Sequence, residues 1–209
     1  MKLTKKIFII SSILFAMGTS AFAADTFASA NVSFPTNIVN LKSDGINTTD
    51  AFHSIGAGVT MKVGLLYAGI DCSFTTQINS KNTDGSKSTV TLQDMKDNDR
   101  LVFNLNFLVG AGFSVIENEK MQLVLAPGVH YTYISDKGWM TAKYYTFGIG
   151  AEAEFNYFFN ETYGITASIQ LAYDFFGFSN LDDLAAYSGK KLNWSNFTVI
   201  PRIGIVKAM

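Results

Sequence analysis

His53 and His130 are the two histidines of this 209-residue chain, and Cys72 is its one cysteine. That small set limits the chemistry on offer. Acyl transfer needs a base within hydrogen-bond reach of a hydroxyl. His53-Ser54 reads as a loop–strand junction, and neighbours along a strand point to opposite faces. His130-x-Thr132 shares a face but offers threonine instead of serine. A single cysteine rules out an internal disulfide framework and a multi-cysteine metal site, and no cofactor is implied. Asp182-Asp183 is too sparse for a calcium loop, which needs several spaced oxygen ligands. No catalytic residue and no metal-ligand set is expected.

What remains is a group of charged residues that fall on one phase of the chain's alternating segments. These are Lys62, Asp71, Glu152, Glu154, Asp174 and Arg202, with His130 in phase beside them. Isolated charges are costly to bury, so a set of both signs on one enclosed face is expected to pair. Arg202 is placed to reach Glu152 or Glu154 across a narrow enclosure. The first reading is a structural plug of paired charges. A narrow polar path for ions or small solutes is the second.

The elements that position these residues are strands. No helical period of any length runs through residues 24–209, whereas two-residue alternation recurs throughout. Leu101, Phe103, Leu105, Phe107, Val109, Ala111, Phe113 and Val115 form one apolar ladder, set against Asn104, Asn106, Gly110, Gly112 and Ser114. The segments 121–133, 145–159, 163–175 and 197–205 repeat the pattern. Weaker copies run at 28–39, 54–63 and 66–78, which gives an even number, eight strands. Their length, about 10 to 16 residues, exceeds the usual 5–6 of soluble sheets and suits a tilted bilayer crossing. Polar stretches at 41–53, 79–98, 135–139 and 177–191 read as long loops, and tight turns fall near Gly64, Asn118 and Asn160.

Residues 1–23 read as a cleaved export signal. Lys2, Lys5 and Lys6 are followed by an apolar stretch from Ile7 to Met17 and by Ala21-Phe22-Ala23. Residues 24–209 then form one domain. Hydrophobic residues make up 48% and charged residues 16%, so disorder is excluded. A net charge of −1, more acidic once the three leader lysines are removed, leaves no footprint for nucleic acid.

The apolar face could point inward, as in a soluble barrel around a ligand, or outward to lipid. Glycines concentrate on the polar face, where a narrow eight-stranded interior needs room. Phe ladders from eight strands would overfill that interior, so the apolar face is read as outward. Aromatic residues form two groups at opposite strand ends. Tyr131, Tyr133, Tyr145, Tyr173 and Phe175 adjoin the long loops, and Phe155, Tyr157, Phe159 and Tyr163 adjoin a tight turn. Such belts mark membrane interfaces. Cys72 falls on the outward phase as a small apolar group.

On these features the chain resembles the small eight-stranded outer-membrane barrels of the OmpA-transmembrane, OmpX and OmpW type, over nearly all of residues 24–209. The resemblance implies an all-β, antiparallel, up-and-down transmembrane barrel in a bacterial outer membrane. It also implies recognition of the last strand by the outer-membrane assembly machinery. Arg202 and Gly204 fit the terminal signal of such proteins, while Lys207 and Met209 stand where an apolar and an aromatic residue are usual. The partners to expect are membrane lipid, that machinery and an extracellular ligand at the long loops. A structural or cell-surface role fits best, with small-solute passage beside it. Enzymes on this scaffold act on lipid A through histidine, hydroxyl and carboxylate, and the alternative readings are such an enzyme or a soluble barrel holding an apolar ligand.

Overall fold

β-Branched and aromatic residues on every second position favour strands that bury one face and expose the other. The computed structural model describes residues 26–43, 45–138, 141–180 and 192–209. The expected export signal and Asp182-Asp183 lie outside the described residues. Among the described residues eleven strands run in chain order as β1 Thr26–Ser33, β2 Thr36–Ser43, β3 Ile46–Val63, β4 Leu66–Lys81, β5 Lys87–Thr91 and β6 Leu101–Ala111. They continue as β7 Phe113–Glu117, β8 Met121–Lys137, β9 Thr141–Phe158, β10 Tyr163–Ser179 and β11 Asn193–Ala208. Among the described residues there is one short helix, α1, spanning Leu92–Asp97 between β5 and β6.

The strands close into a ring of eight antiparallel staves. β1 and β2 make one stave, because both pair with β3 on one side and β11 on the other. Pro35 cannot donate a ladder bond, and the chain kinks there. Nevertheless Phe34 N–H reaches Pro201 O at 3.0 Å, and Pro35 O accepts Ser54 N–H at 2.8 Å. β6 and β7 make another stave, both pairing with β8. Between them Gly112 donates its N–H to Leu65 O at 2.8 Å. The remaining staves are β3, β4, β8, β9, β10 and β11. β5 lies off the ring, paired to the far end of β4.

Two sequence expectations are corrected here. Within the stretches expected as loops, residues 41–43, 46–53 and 135–137 are strand. β2 and β3 run on as a paired hairpin up to Ser43 and Ile46, and β8 runs to Lys137 before β9 begins at Thr141. Polar side chains stand on both faces of these ends, so the alternation that marks a strand fades while the backbone ladder continues. Likewise 79–98 contains the end of β4, β5 and α1, joined by the turn at Gly85, and is structured. The strands are therefore longer than read from sequence, with β3 and β9 at 18 residues and β8 and β10 at 17. Eighteen residues rise roughly 60 Å. Even tilted by about 45° they are longer than a hydrocarbon core of about 30 Å requires.

Gly110 and Gly128 face each other across β6 and β8. A Cβ on either would collide with backbone of the other strand, with Pro127 O in one case and Val109 O in the other. The close approach of these two staves is open only to glycine. Gly64 sits in the expected tight turn between β3 and β4 at φ +56°, a left-handed conformation that favours glycine.

The outside carries the large apolar groups. Ile205, Val129, Ile149 and Phe175 are among the most exposed hydrophobic side chains of the molecule. The inside is layered. On β6 the inward positions read Val102, Asn104, Asn106, Leu108, and on β8 they read Val124, Ala126, Gly128, His130, Thr132, Ile134. Polar residues thus occupy the middle, with an apolar layer at each end. At the short-turn end Phe27, Tyr67, Leu108, Val124, Ala126 and Val206 pack together with Phe158. At the long-loop end Val39, Phe52, Ile78, Met95, Val102, Ile134 and Trp194 do so. The expectation of a mostly polar inward face holds for the middle third and is corrected for the two ends.

Candidate functional site

The polar middle is built from single residues on different staves, each in phase with the lumen. Arg202 on β11 lies between Asp71 on β4 and Glu152 on β9, and all three side chains are buried. Its guanidinium engages Asp71 through Nε, at 3.0 Å to each carboxylate oxygen, and through a second nitrogen. Another nitrogen donates to Glu152 Oε1, and Gln170 Oε1 accepts at 2.8 Å. The planar fork of arginine suits such multiple carboxylate contacts. Of the two reachable partners read from sequence, Glu152 is the one met.

Glu154 has a different set of donors. Tyr67 Oη donates to Oε2 at 2.6 Å, Thr60 Oγ1 to the same oxygen at 2.9 Å, and Thr166 Oγ1 to Oε1 at 3.1 Å. Three hydroxyls replace the water that this carboxylate would hold outside. The third cluster centres on Asp174. It meets His130 Nδ1 at 2.8 Å, and accepts from Thr146 at 2.7 Å and from Thr132 and Asn196 at 3.1 Å each. Lys62 is buried nearer the short turns, its stem running beside Gly112 and Tyr67. All seven residues singled out by phase therefore sit in the lumen, spread over three hydrogen-bonded groups and one lysine site.

Sequence reading missed the neutral partners. Thr60, Tyr67, Asn104, Thr166, Gln170 and Asn196 all make side-chain hydrogen bonds between staves. Their phase was legible, since Tyr67 stands four residues before Asp71 and Asn104 two before Asn106. Nothing in the spacing says which carboxylate each hydroxyl meets across the ring. Met95 was also missed. It lies on α1 in a polar stretch, yet is buried in the apolar layer at the long-loop end.

The two histidines occupy different surroundings. His53 lies within β3, not at a loop junction, and faces outward. Asn79 Nδ2 donates to its Nε2 at 3.0 Å, so Nδ1 carries the proton and meets Thr36 Oγ1 at 3.1 Å. Among the described residues its side-chain partners are these two neutral groups. His130 does meet a carboxylate, but its Nε2 has no partner, and the nearby Thr132 and Thr146 hydroxyls are directed to Asp174. Cys72 is half-buried on the outward face.

The aromatic residues face outward at two levels. Tyr131 pairs with Phe147 at 4.8 Å between ring centres, and Tyr133 with Tyr145 at 5.1 Å. Tyr145 stacks on Phe178 at 4.9 Å. At the short turns Tyr157 meets Phe159 edge-on at 5.9 Å, with Phe155 and Tyr163 exposed alongside. Near the upper end of β10 Tyr173 and Phe175 share the outward phase as expected, and the alternation changes only beyond them. A bulge between Asp174 and Phe176 leaves both Phe175 and Phe176 exposed and reverses the alternation beyond. Gly177 then points inward against Trp194. A cavity of about 400 Å³ opens at the short-turn mouth, lined by Thr26, Glu117, Glu119, Gln122, Glu161 and Met209 among others, below the apolar layer.

Residues 15–206 match the family model described as Domain of unknown function (DUF2715). The chain belongs to this family. Solved structures similar to it are outer-membrane proteins. OprG from Pseudomonas aeruginosa shares 14% identity over 88% of this chain and 95% of its own, with a TM-score of 0.53. Neisserial surface protein A shares 11% over 88% of this chain and 97% of its own, TM-score 0.45. The outer-membrane protease OmpT from Escherichia coli shares 7% over 92% of this chain and 99% of its own, TM-score 0.49. No curated protein matches the chain. At these identities the likeness to OprG shows the fold. This DUF2715 chain is an eight-stranded antiparallel up-and-down barrel of the transmembrane type.

Proposed function

We propose that this DUF2715 protein is an integral outer-membrane barrel with a plugged lumen, serving a structural or cell-surface role and not catalysis. The outward apolar belt supports residence in lipid, where a closed ring leaves no strand edge unpaired. The observation that carries the plug is the Arg202, Asp71 and Glu152 cluster, set between two apolar layers. An ion crossing the lumen would have to displace a hydrogen-bonded charge group that is itself out of contact with water. The assembly machinery would read the β11 end, and the β4–β5 hairpin with α1 stands where an extracellular ligand would meet the protein.

Passage of small solutes is the second reading, favoured by the polar middle layer alone. The reading as an enzyme on lipid A draws on the His130–Asp174 pair. It is disfavoured because the histidine's free nitrogen faces no hydroxyl and lies deep in the lumen. A soluble barrel holding an apolar ligand is disfavoured by charged and amide groups where the ligand would sit. Recording from planar phosphatidylcholine bilayers tests the proposal. The folded protein is expected to give no steady channel. A stable open conductance would overturn the plug and promote passage.

A further inference from the structure

The outward face changes character abruptly on one side of the barrel. Below the change β3 and β4 present Ile55 and Phe74. Above it a single row of register partners, Thr36, His53, Gln77 and Thr91, crosses β2, β3, β4 and β5. No aromatic residue stands in this row, whereas across the barrel the same boundary carries the Tyr133–Tyr145–Phe178 stack. The boundary is therefore built in two chemistries, rings on β8–β10 and amide, hydroxyl and imidazole groups on β2–β5.

Above the polar row the face turns basic. Lys42, Lys81 and Lys87 share the outward phase of β2, β4 and β5, and all three are exposed. Lys81 and Lys87 are direct cross-strand partners. Like charges in that position are destabilising, and among the described residues neither has an acidic partner. Asp50, the acid of these strand ends, pairs with Val39 on the opposite face. Asp84 lies in the hairpin turn, where it accepts Ser86 N–H at 2.8 Å. The amides between the lysines are held in place, since Asn40 accepts from Thr49 at 2.8 Å and Asn79 from Thr89 at 3.0 Å. Lysines without counter-ions, spaced by fixed donors, suit a phosphate more than a neutral sugar.

We infer that this face holds the anionic, phosphate-bearing headgroups of lipids in the surrounding leaflet. The inference rests on the membrane reading above. Lipid is the occupant because the basic face continues downward, on the same strands, into the apolar surface that acyl chains would cover. A headgroup held there would place its phosphate by Lys81 and Lys87 while its chains descend over Ile55 and Phe74. Each lysine near an anionic surface is worth about five-fold in partitioning.

The test uses the full chain folded into phosphatidylcholine nanodiscs with and without phosphatidylglycerol, followed by native mass spectrometry of retained lipid. Wild type is expected to keep phosphatidylglycerol over phosphatidylcholine. The K42Q/K81Q/K87Q variant is expected to lose that preference at least ten-fold. K96Q/K120Q/K207Q, with the same net charge, is expected to keep it. Equal loss in both variants, or no preference in wild type, overturns the headgroup site while leaving the barrel in place. Failure of wild type to enter any nanodisc overturns the membrane reading and this inference with it. Binding of soluble heparin by wild type with no phosphatidylglycerol retained assigns the face to a soluble polyanion and overturns the lipid. Should the triple variant not fold, K81Q and K42Q singly carry the comparison.

Discussion

Arg202 joins three staves through one side chain, so its removal should be felt well beyond its own strand. Taking away the cation leaves Asp71 and Glu152 buried with no counter-charge, a change that costs about 3–5 kcal/mol in comparable sites. R202M is expected to lower the temperature at which the folded band on unheated SDS gels converts to the unfolded one. Adding D71N and E152Q should restore much of the loss, because neutral groups can share hydrogen bonds without the charge. If R202M keeps the wild-type transition, the cluster is not what holds the lumen together. At this scale the sequence was informative about phase and silent about partners. Period two alone placed Arg202, Asp71 and Glu152 on the enclosed face. The choice of Glu152 over Glu154 depends on stagger between staves, which no single strand encodes.

At the scale of elements, α1 is the unexpected piece. Six residues cannot hold a helix by themselves, so two contacts must. Met95 is sunk in the apolar layer, and a capping box joins Thr91 to Asp94. The Asp94 carboxylate accepts Thr91 N–H at 2.8 Å and the Thr91 hydroxyl at 2.7 Å, and these bonds hold its pKa below the ordinary carboxylate value. A carboxylate lowered on folding contributes stability above its ordinary pKa, and that contribution disappears as pH falls through the lowered one. Amide exchange over residues 92–97, corrected for intrinsic rates, should therefore show protection that fades on acidification. D94N should flatten that dependence, and an unchanged slope in D94N would remove the cap from the account. The sequence hid this element because a polar run with one methionine reads as a loop. It hid the upper hairpin of β2 and β3 in the same way, since a strand with polar residues on both faces shows no period. The bulge after Asp174 was illegible for a further reason, as an extra residue resets the phase without changing composition.

Taken whole, the barrel inverts the usual arrangement, with a buried charge cluster at its middle and large apolar side chains over its outside. That inversion was the part most open to sequence reading. Glycines on the polar phase and rings on the apolar one decide which face a narrow barrel can enclose, and the pairing of Gly110 with Gly128 shows why. Such a molecule, sealed by a continuous ladder, should resist SDS until heated. Outer membranes run unheated and heated are expected to give two mobilities for the protein, and carbonate washing should not release it. Identical mobility together with release into the wash would point to a water-soluble barrel.

The pairing of β1 with β11 sets the order in which this interior can dry. Phe27 meets Ala208 and Ser33 meets Arg202, so the seam joins the first strand to the last. Every other junction is a hairpin or a short crossing that local chain can make early, whereas the seam has nearly the greatest contact order the chain allows. The lumen's acids are spread along β4, β9 and β10, and the arginine that neutralises two of them arrives only with β11. Until then Asp71 and Glu152 must keep their water. The last strand shuts the wall and delivers the counter-charge in one step, so dehydration of the core is timed to closure and cannot precede it.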